Sequence, residues 1–261
     1  MANDFADRVA LITGAASGIG RSSARQLAER GARIAAVDRN ETALRELVET
    51  LPVTTATHLA VVRDLRPAES GSDVVAEVMM KAERLDILVN AAGVCHFNRM
   101  NTITPEEWDE VLEIDLRSLF FTSVAAAEAM DPARGGRIIN LGSNAGRKGR
   151  ALSAHYAAAK AGVANLSESL ALAYGSRNIC VNTVCPGPTD TPMWEGNFRE
   201  LKTITGKSPE EFFDTWSKQT PLGRIGTPED VANLITFLAS DSAAFITGQE
   251  INICGGFMLT S

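Results

Sequence analysis

Tyr156 and Lys160 stand at i and i+4 in an Ala-rich stretch, Tyr156-Ala-Ala-Ala-Lys160. In a helix that spacing puts both side chains on one face. A free phenol titrates near pH ~10, and an ammonium beside it favours the phenolate. The pair therefore reads as a general acid/base usable at moderate pH. Ser143 lies upstream, just beyond an apolar run. Its hydroxyl is suited to hold a substrate oxygen where charge develops. Serine, tyrosine and lysine together point to proton transfer at an alcohol or carbonyl oxygen.

A second constellation lies near the N-terminus. Thr13-Gly-Ala-Ala-Ser-Gly-Ile-Gly20 follows a short apolar run and precedes a helical pattern. Gly14 suits the tight turn, Gly18 lets backbone approach a pyrophosphate, and Gly20 permits close helix–strand packing. The helix N-terminus that follows offers unpaired N–H groups and partial positive charge to phosphates. Asp38 closes the next apolar run. A carboxylate there accepts hydrogen bonds from the adenine-ribose hydroxyls and repels a 2′-phosphate, which selects NAD over NADP. The alternative for Asp38 is a cap for the following helix. Arg39 is within reach of a phosphate, whereas Ala16 and Ser17 add no positive charge to the glycine loop.

These residues need a scaffold, and apolar runs alternate with helical patterns along the whole chain. Strands are predicted at Val9–Thr13, 34–37, Leu59–Val62, 87–89, 137–141, 180–184 and 249–253. Helices are predicted at about 19–30, 42–50, 72–84, from 105 onward, 153–173 and from 228. Thr104-Pro-Glu-Glu107 carries the capping-box signature. Such alternation implies an α/β fold, a single doubly wound, parallel, seven-stranded sheet with helices on both faces, in one domain over 1–261. Residues 188–223 break the pattern and carry Met193, Trp194, Phe198, Phe212, Phe213 and Trp216. An insertion after a strand's carboxyl end is placed to act as a substrate lid; the alternative is two surface helices docked by their aromatics.

Composition narrows the function classes. The chain has 261 residues, 45% of them apolar, and a net charge of −7. That charge disfavours nucleic acid and anionic membranes as partners. The first eight residues hold two acids rather than a basic leader, and no apolar run reaches the roughly 20 residues of a membrane helix. A cytoplasmic location is expected. Cys95, Cys180, Cys185 and Cys254 form no C-x-x-C pair, and His58, His96 and His155 are scattered, so no metal site is expected.

Taken together, the motifs resemble the short-chain dehydrogenase/reductase family over nearly the whole chain. Thr13–Gly20 matches its T-G-x-x-x-G-x-G, Asn90-Ala-Ala-Gly93 its N-N-A-G, and Ser143 with Tyr156/Lys160 its catalytic set. Pro186-Gly187 with Thr189 and Thr191 is similar to the segment that grips the nicotinamide carboxamide. The resemblance implies a Rossmann fold and a hydride transfer between NAD and a secondary alcohol or ketone. It further implies that Ser17, Ile19, Asp64, Leu65 and Gly93 line the dinucleotide, Asn90 its adenosine side, and Lys160 the nicotinamide ribose. Homotetramers (or homodimers) packed through residues 105–130 and 153–173 are also implied.

The chain departs from the family twice. Asp115 stands where the family has an Asn that holds a relay water, and Cys254 where it often has Asp. An ionised Asp115 would offset Lys160 and raise the working pKa of Tyr156. Asn144, Arg147, Arg150, Cys95, His96 and Trp194 are candidate substrate residues. Polar groups beside a tryptophan suit a sugar or polyol. The alternatives are a 3-oxoacyl thioester reductase, whose usual NADP preference sits poorly with Asp38, and a non-catalytic NAD(H)-binding sensor or scaffold.

Overall fold

The computed structural model describes residues 4–52 and 56–259. Its seven strands are β1 (Val9–Thr13), β2 (Arg33–Asp38), β3 (Leu59–Val62), β4 (Ile87–Asn90), β5 (Gly136–Leu141), β6 (Ile179–Pro186) and β7 (Glu250–Ile253). All pair in parallel in one sheet of order β3-β2-β1-β4-β5-β6-β7. Every residue of β1, β4, β5 and β6 is buried. That explains why these strands read as largely apolar runs: helices cover both faces, so no position faces water, and polar exceptions such as Asn140 and Asn182 are hydrogen-bonded inside.

Successive side chains feed opposite cores. Ile12, Ile34 and Ile87 pack on Leu27 of α1 (Gly18–Glu29), Leu44 of α2 (Glu41–Thr50) and Ile235 of α9 (Pro228–Ala239). Leu11, Leu88 and Ile138 face Val74 of α3 (Ser70–Ala82), Ala126 of α5 (Leu119–Ala129) and Leu170 of α6 (Ala154–Tyr174). Most predicted boundaries fall within a residue or two of these elements.

Two features position the site. Chain order reverses between β1 and β4, which opens a crevice at their carboxyl ends. There the Thr13 hydroxyl accepts from the Ala91 and Ala92 N–H groups at 3.1 and 3.2 Å, pinning the loop after β4. The second feature is a departure from expectation. The capping box of Thr104 and Glu107 opens α4 (Pro105–Leu112) as predicted, but α4 runs into a π-helical stretch, Glu113–Ser118, before α5 begins. The wider turn carries Asp115, which is fully buried.

Residues 188–223 hold α7 (Met193–Thr205) and α8 (Pro209–Gln219), the latter opened by a capping box of Ser208 and Glu211. Among the described residues, all four cysteines are free thiols, no His/Cys/Asp/Glu group is arranged to hold a metal, and no helix is long and apolar enough to cross a membrane.

Candidate active site

A cavity of about 440 Å³ runs along the carboxyl ends of the strands. One end is lined by Gly14, Ser17, Gly18, Ile19 and Gly20 from the β1–α1 turn, by Asp38 and Arg39, and by Asp64 and Leu65. Gly14 sits at φ +66°, and a Cβ on it would meet Ala92 N at 2.7 Å. A Cβ on Gly20 would fall 2.2 Å from the Gly14 carbonyl oxygen. Only glycines fit this turn. Ser17 precedes α1 without a side-chain cap, and no acid occupies the first turn, so the helix N-terminus stays open to an anion. The Asp38 carboxylate accepts from Ala16 N at 3.1 Å and Asn40 N at 2.9 Å, tying the glycine loop to the start of α2. The cap of α2 is Asn40, whose side chain accepts from Ala43 N at 3.2 Å, so the helix-cap alternative for Asp38 does not hold; Asp38 lines the cavity and anchors the glycine loop. This pocket fits a dinucleotide: the glycine turn leaves room for a diphosphate, and Asp38 has lone pairs to spare for ribose hydroxyls.

At the cavity's centre, Ser143, Tyr156 and Lys160 converge as the spacing predicts. The Ser143 hydroxyl accepts from Ala145 N at 3.0 Å, and its own hydrogen remains to donate toward the Tyr156 oxygen. Lys160 Nζ donates to the Leu141 carbonyl at 2.9 Å and lies 5.6 Å from the Tyr156 ring centroid. Its ammonium also contacts Asp115 Oδ2 at 3.2 Å as an ion pair with both partners buried. The other Asp115 oxygen accepts from Val94 N at 2.7 Å.

Asp115 thus touches the lysine directly, where a relay through water was expected. Burial raises its carboxyl pKa, while Lys160 and the Val94 N–H oppose that shift. The electrostatics of Tyr156 also run against the simple reading of a tyrosine–lysine pair. Its ring is partly open to the cavity but otherwise enclosed by protein, and burial pushes the phenol well above its ordinary value. Cys95 and Asp115 push it the same way, and a hydrogen bond with Ser143 pulls it down. Burial is the leading cause, and Lys160 does little to offset it because its ammonium faces Asp115 at 3.2 Å.

The far end of the cavity is lined by Cys95, Asn144, Arg150 and Trp194, all anticipated as substrate residues. Pro186, Gly187, Thr189 and Thr191 line the stretch between, and Gly93 lies against Asp115. Three anticipated residues lie outside. Asn90 turns its amide into the sheet, donating to Ser123 Oγ at 2.9 Å and Asn140 Oδ1 at 2.8 Å. Arg147 pairs with Glu250 at 3.1 Å. His96 is held by Glu110 at 3.1 Å and Glu200 at 3.4 Å and stacks on His155. Glu200 also accepts from Phe97 N at 2.7 Å, so α7 grips the loop after β4.

Sequence reasoning missed Arg63 at the dinucleotide end and Phe97, Asn197 and Trp216 at the other. The aromatic content of the insertion was the available signal. Trp194 stacks against Phe97 at 6.0 Å and Phe198 at 5.4 Å, and meets Trp216 at 4.7 Å.

Comparison with known proteins adds independent findings. Residues 14–258 match a family model described as enoyl-(acyl carrier protein) reductase. The chain is 36% identical over 252 residues to a 3-oxoacyl-(acyl-carrier-protein) reductase of Vibrio cholerae, covering 97% of this chain and 98% of the relative. The same enzyme of Thermotoga maritima is 37% identical over 255 residues, 97% and 98% of the two chains. A cis-4-hydroxycyclohexanecarboxylate dehydrogenase of Sinomonas cyclohexanicum is 37% identical over 258 residues, 98% and 99%.

Proposed function

The chain belongs to the short-chain dehydrogenase/reductase family of oxidoreductases, and on that premise we propose that it interconverts a secondary alcohol and a ketone with NAD(H). The observation that carries this reading is the convergence of Ser143, Tyr156 and Lys160 on a cavity continuous with the glycine turn. A nicotinamide dinucleotide, when bound, supplies the two-electron redox chemistry. The residues proposed to hold it are Gly14, Ser17 to Gly20, Asp38, Asp64, Leu65, Gly93, Pro186, Gly187, Thr189 and Thr191. Ser143, hydrogen-bonded to Tyr156, turns its hydroxyl hydrogen to the substrate oxygen. Tyr156 takes the hydroxyl proton during oxidation and returns it during reduction. Lys160, fixed by the Leu141 carbonyl and Asp115, stands beside the phenol with its charge offset by that carboxylate. The 188–223 segment serves as a lid.

NAD is favoured by the Asp38 carboxylate on the cavity wall; Arg39 and Arg63 beside it supply the counter-argument for NADP. A 3-oxoacyl thioester reductase is the second reading, supported by the names of the Vibrio and Thermotoga relatives. It has more support than a sugar or polyol dehydrogenase, because none of the relatives named here carries a polyol in its name and the substrate wall is aromatic. The Sinomonas relative, named for oxidising a ring alcohol, supports the dehydrogenase direction. Cytoplasmic location and tetramers through α4 to α6 complete the proposal, the latter because Phe121 and Leu172 stand exposed on those helices. The test is nucleotide absorbance with a panel of ketones, alcohols, polyols and a short 3-oxoacyl thioester, run with NAD(H) and NADP(H) side by side. Binding without turnover across the panel would favour the sensor and overturn the reading.

A further inference from the structure

The substrate end of the cavity carries a cation without an anion. Of the charged residues on the cavity wall, Asp38, Arg39, Arg63 and Asp64 cluster at the dinucleotide end, and Lys160 is paired with Asp115. Arg150 is half-buried beside Ser143 and Tyr156 and enters no ion pair among the described residues. It makes one hydrogen bond, to Asn144 Oδ1 at 3.1 Å. That bond uses the acceptor of the Asn144 amide. The Asn144 Nδ2 group is buried and has no partner. What the Arg150 guanidinium has left for the cavity is donors only, and the buried amide N–H₂ of Asn144 beside it lacks an acceptor. A buried donor left unsatisfied is costly, and a fork of parallel N–H groups matches a carboxylate.

The rest of the substrate wall has different chemistry. Phe97, Trp194 and Trp216 form an aromatic surface, Trp194 stacked on Phe97 and tilted against Trp216. The Trp194 indole N–H is already spent on the Thr189 carbonyl at 2.8 Å, so the ring offers carbon alone. A polyol would offer Arg150 only neutral hydroxyl acceptors and no counter-charge. A thioester carries no charge beside its carbonyl.

We propose that the substrate is a hydroxy or oxo carboxylic acid with a compact apolar body, its carboxylate gripped by Arg150 and Asn144 and its body laid on Phe97, Trp194 and Trp216. This rests on the alcohol/ketone reading above and names its substrate class. Arg150 is a specificity residue here, not a proton carrier.

The experiment compares free hydroxy acids with their methyl esters, using 3-hydroxycyclohexanecarboxylate and 3-hydroxybutyrate, in wild type, Arg150→Gln and Arg150→Lys. Wild type is expected to prefer acid over ester by roughly 100-fold in kcat/KM. That ratio should collapse to near one in Arg150→Gln and be intermediate in Arg150→Lys, which keeps the charge but loses the fork. A second readout needs no turnover: quenching of tryptophan fluorescence by cyclohexanecarboxylate, expected in wild type and lost in Arg150→Gln. Circular dichroism confirms that the variants fold. Equal use of acid and ester by wild type, or a ratio that survives Arg150→Gln, would overturn the proposal. Quenching that depends on Arg150, with no turnover of any alcohol or ketone, would sink the dehydrogenase reading and leave the carboxylate site standing.

Discussion

Replacing Asp115 with Asn should move the pH–rate profile toward acid. The carboxylate contacts the Lys160 ammonium at 3.2 Å, and that ammonium lies 5.6 Å from the Tyr156 ring centroid. The two legs place the Asp115 oxygen no farther than ~9 Å from the ring. At an effective dielectric of ~20, a unit charge at that distance raises the energy of a phenolate by about 2 kcal/mol, or ~1 pKa unit. Burial raises the Asp115 pKa against the opposing pull of Lys160 and the Val94 N–H, and the shift worked here is that produced by its carboxylate form. Removing it withdraws a negative charge from beside the phenolate, so the Tyr156 pKa falls. Oxidation needs the phenolate, and its rate climbs as pH rises through that pKa. The rising limb of kcat/KM for alcohol oxidation should therefore lie about one unit lower in Asp115→Asn, with up to ~10-fold faster oxidation on the acid side. The assay is kcat/KM for one alcohol from pH 5 to 10 in both proteins, with ionic strength fixed. Superimposable profiles would refute the reasoning, because they would mean that Asp115 is uncharged or electrically remote. A shift toward alkaline pH would refute its sign.

Other consequences follow from single contacts. Asp38→Ser removes the carboxylate facing the ribose and should raise the NADP/NAD ratio of kcat/KM at least ~10-fold; an unchanged ratio would assign Asp38 to loop anchoring alone. Gly20→Ala drives a Cβ to 2.2 Å from the Gly14 carbonyl and should cost about 2 kcal/mol, lowering Tm by roughly 5 °C. Leu27→Ala, at a fully buried position, should cost about 3 kcal/mol in denaturant titration. Asp230 accepts from Arg224 and from the Thr227 backbone at the start of α9, and its pKa is lowered from 3.8 to about 2, with the Arg224 hydrogen bond the leading cause. A lowered carboxyl pKa contributes stability above pH 3.8 that is lost as pH falls toward 2. Asp230→Asn should flatten that part of the stability–pH curve, by well under ~1 kcal/mol because the pair is exposed.

The sheet was readable because buried parallel strands are largely apolar along their length, as in Val9–Thr13. The glycine turn and the Tyr156/Lys160 pair were readable because each is a local geometric requirement. What escaped depends on partners distant in the chain. Nothing in Glu113-Ile-Asp-Leu116 announces a π-helical turn, so the direct ion pair of Asp115 with Lys160 could not be read. His96 and Arg147 have the right chemistry for a substrate site, but Glu200 and Glu250, from distant segments, claim them. Trp216 reaches the cavity only because α8 folds back on α7 through its contact with Trp194. Side-chain direction at polar positions is set by tertiary partners, whereas hydrophobic periodicity is set locally.

The most direct test of the central claim, that the Tyr156 hydroxyl carries the proton, is turnover by Tyr156→Phe, with nucleotide binding followed by NADH fluorescence in the same preparation. The substitution removes one oxygen and keeps the ring that packs in the cavity. Turnover is expected to fall at least ~100-fold while the NADH Kd stays within about twofold of wild type. Turnover within ~5-fold of wild type, with binding intact, would contradict the assignment and return the proton step to another group.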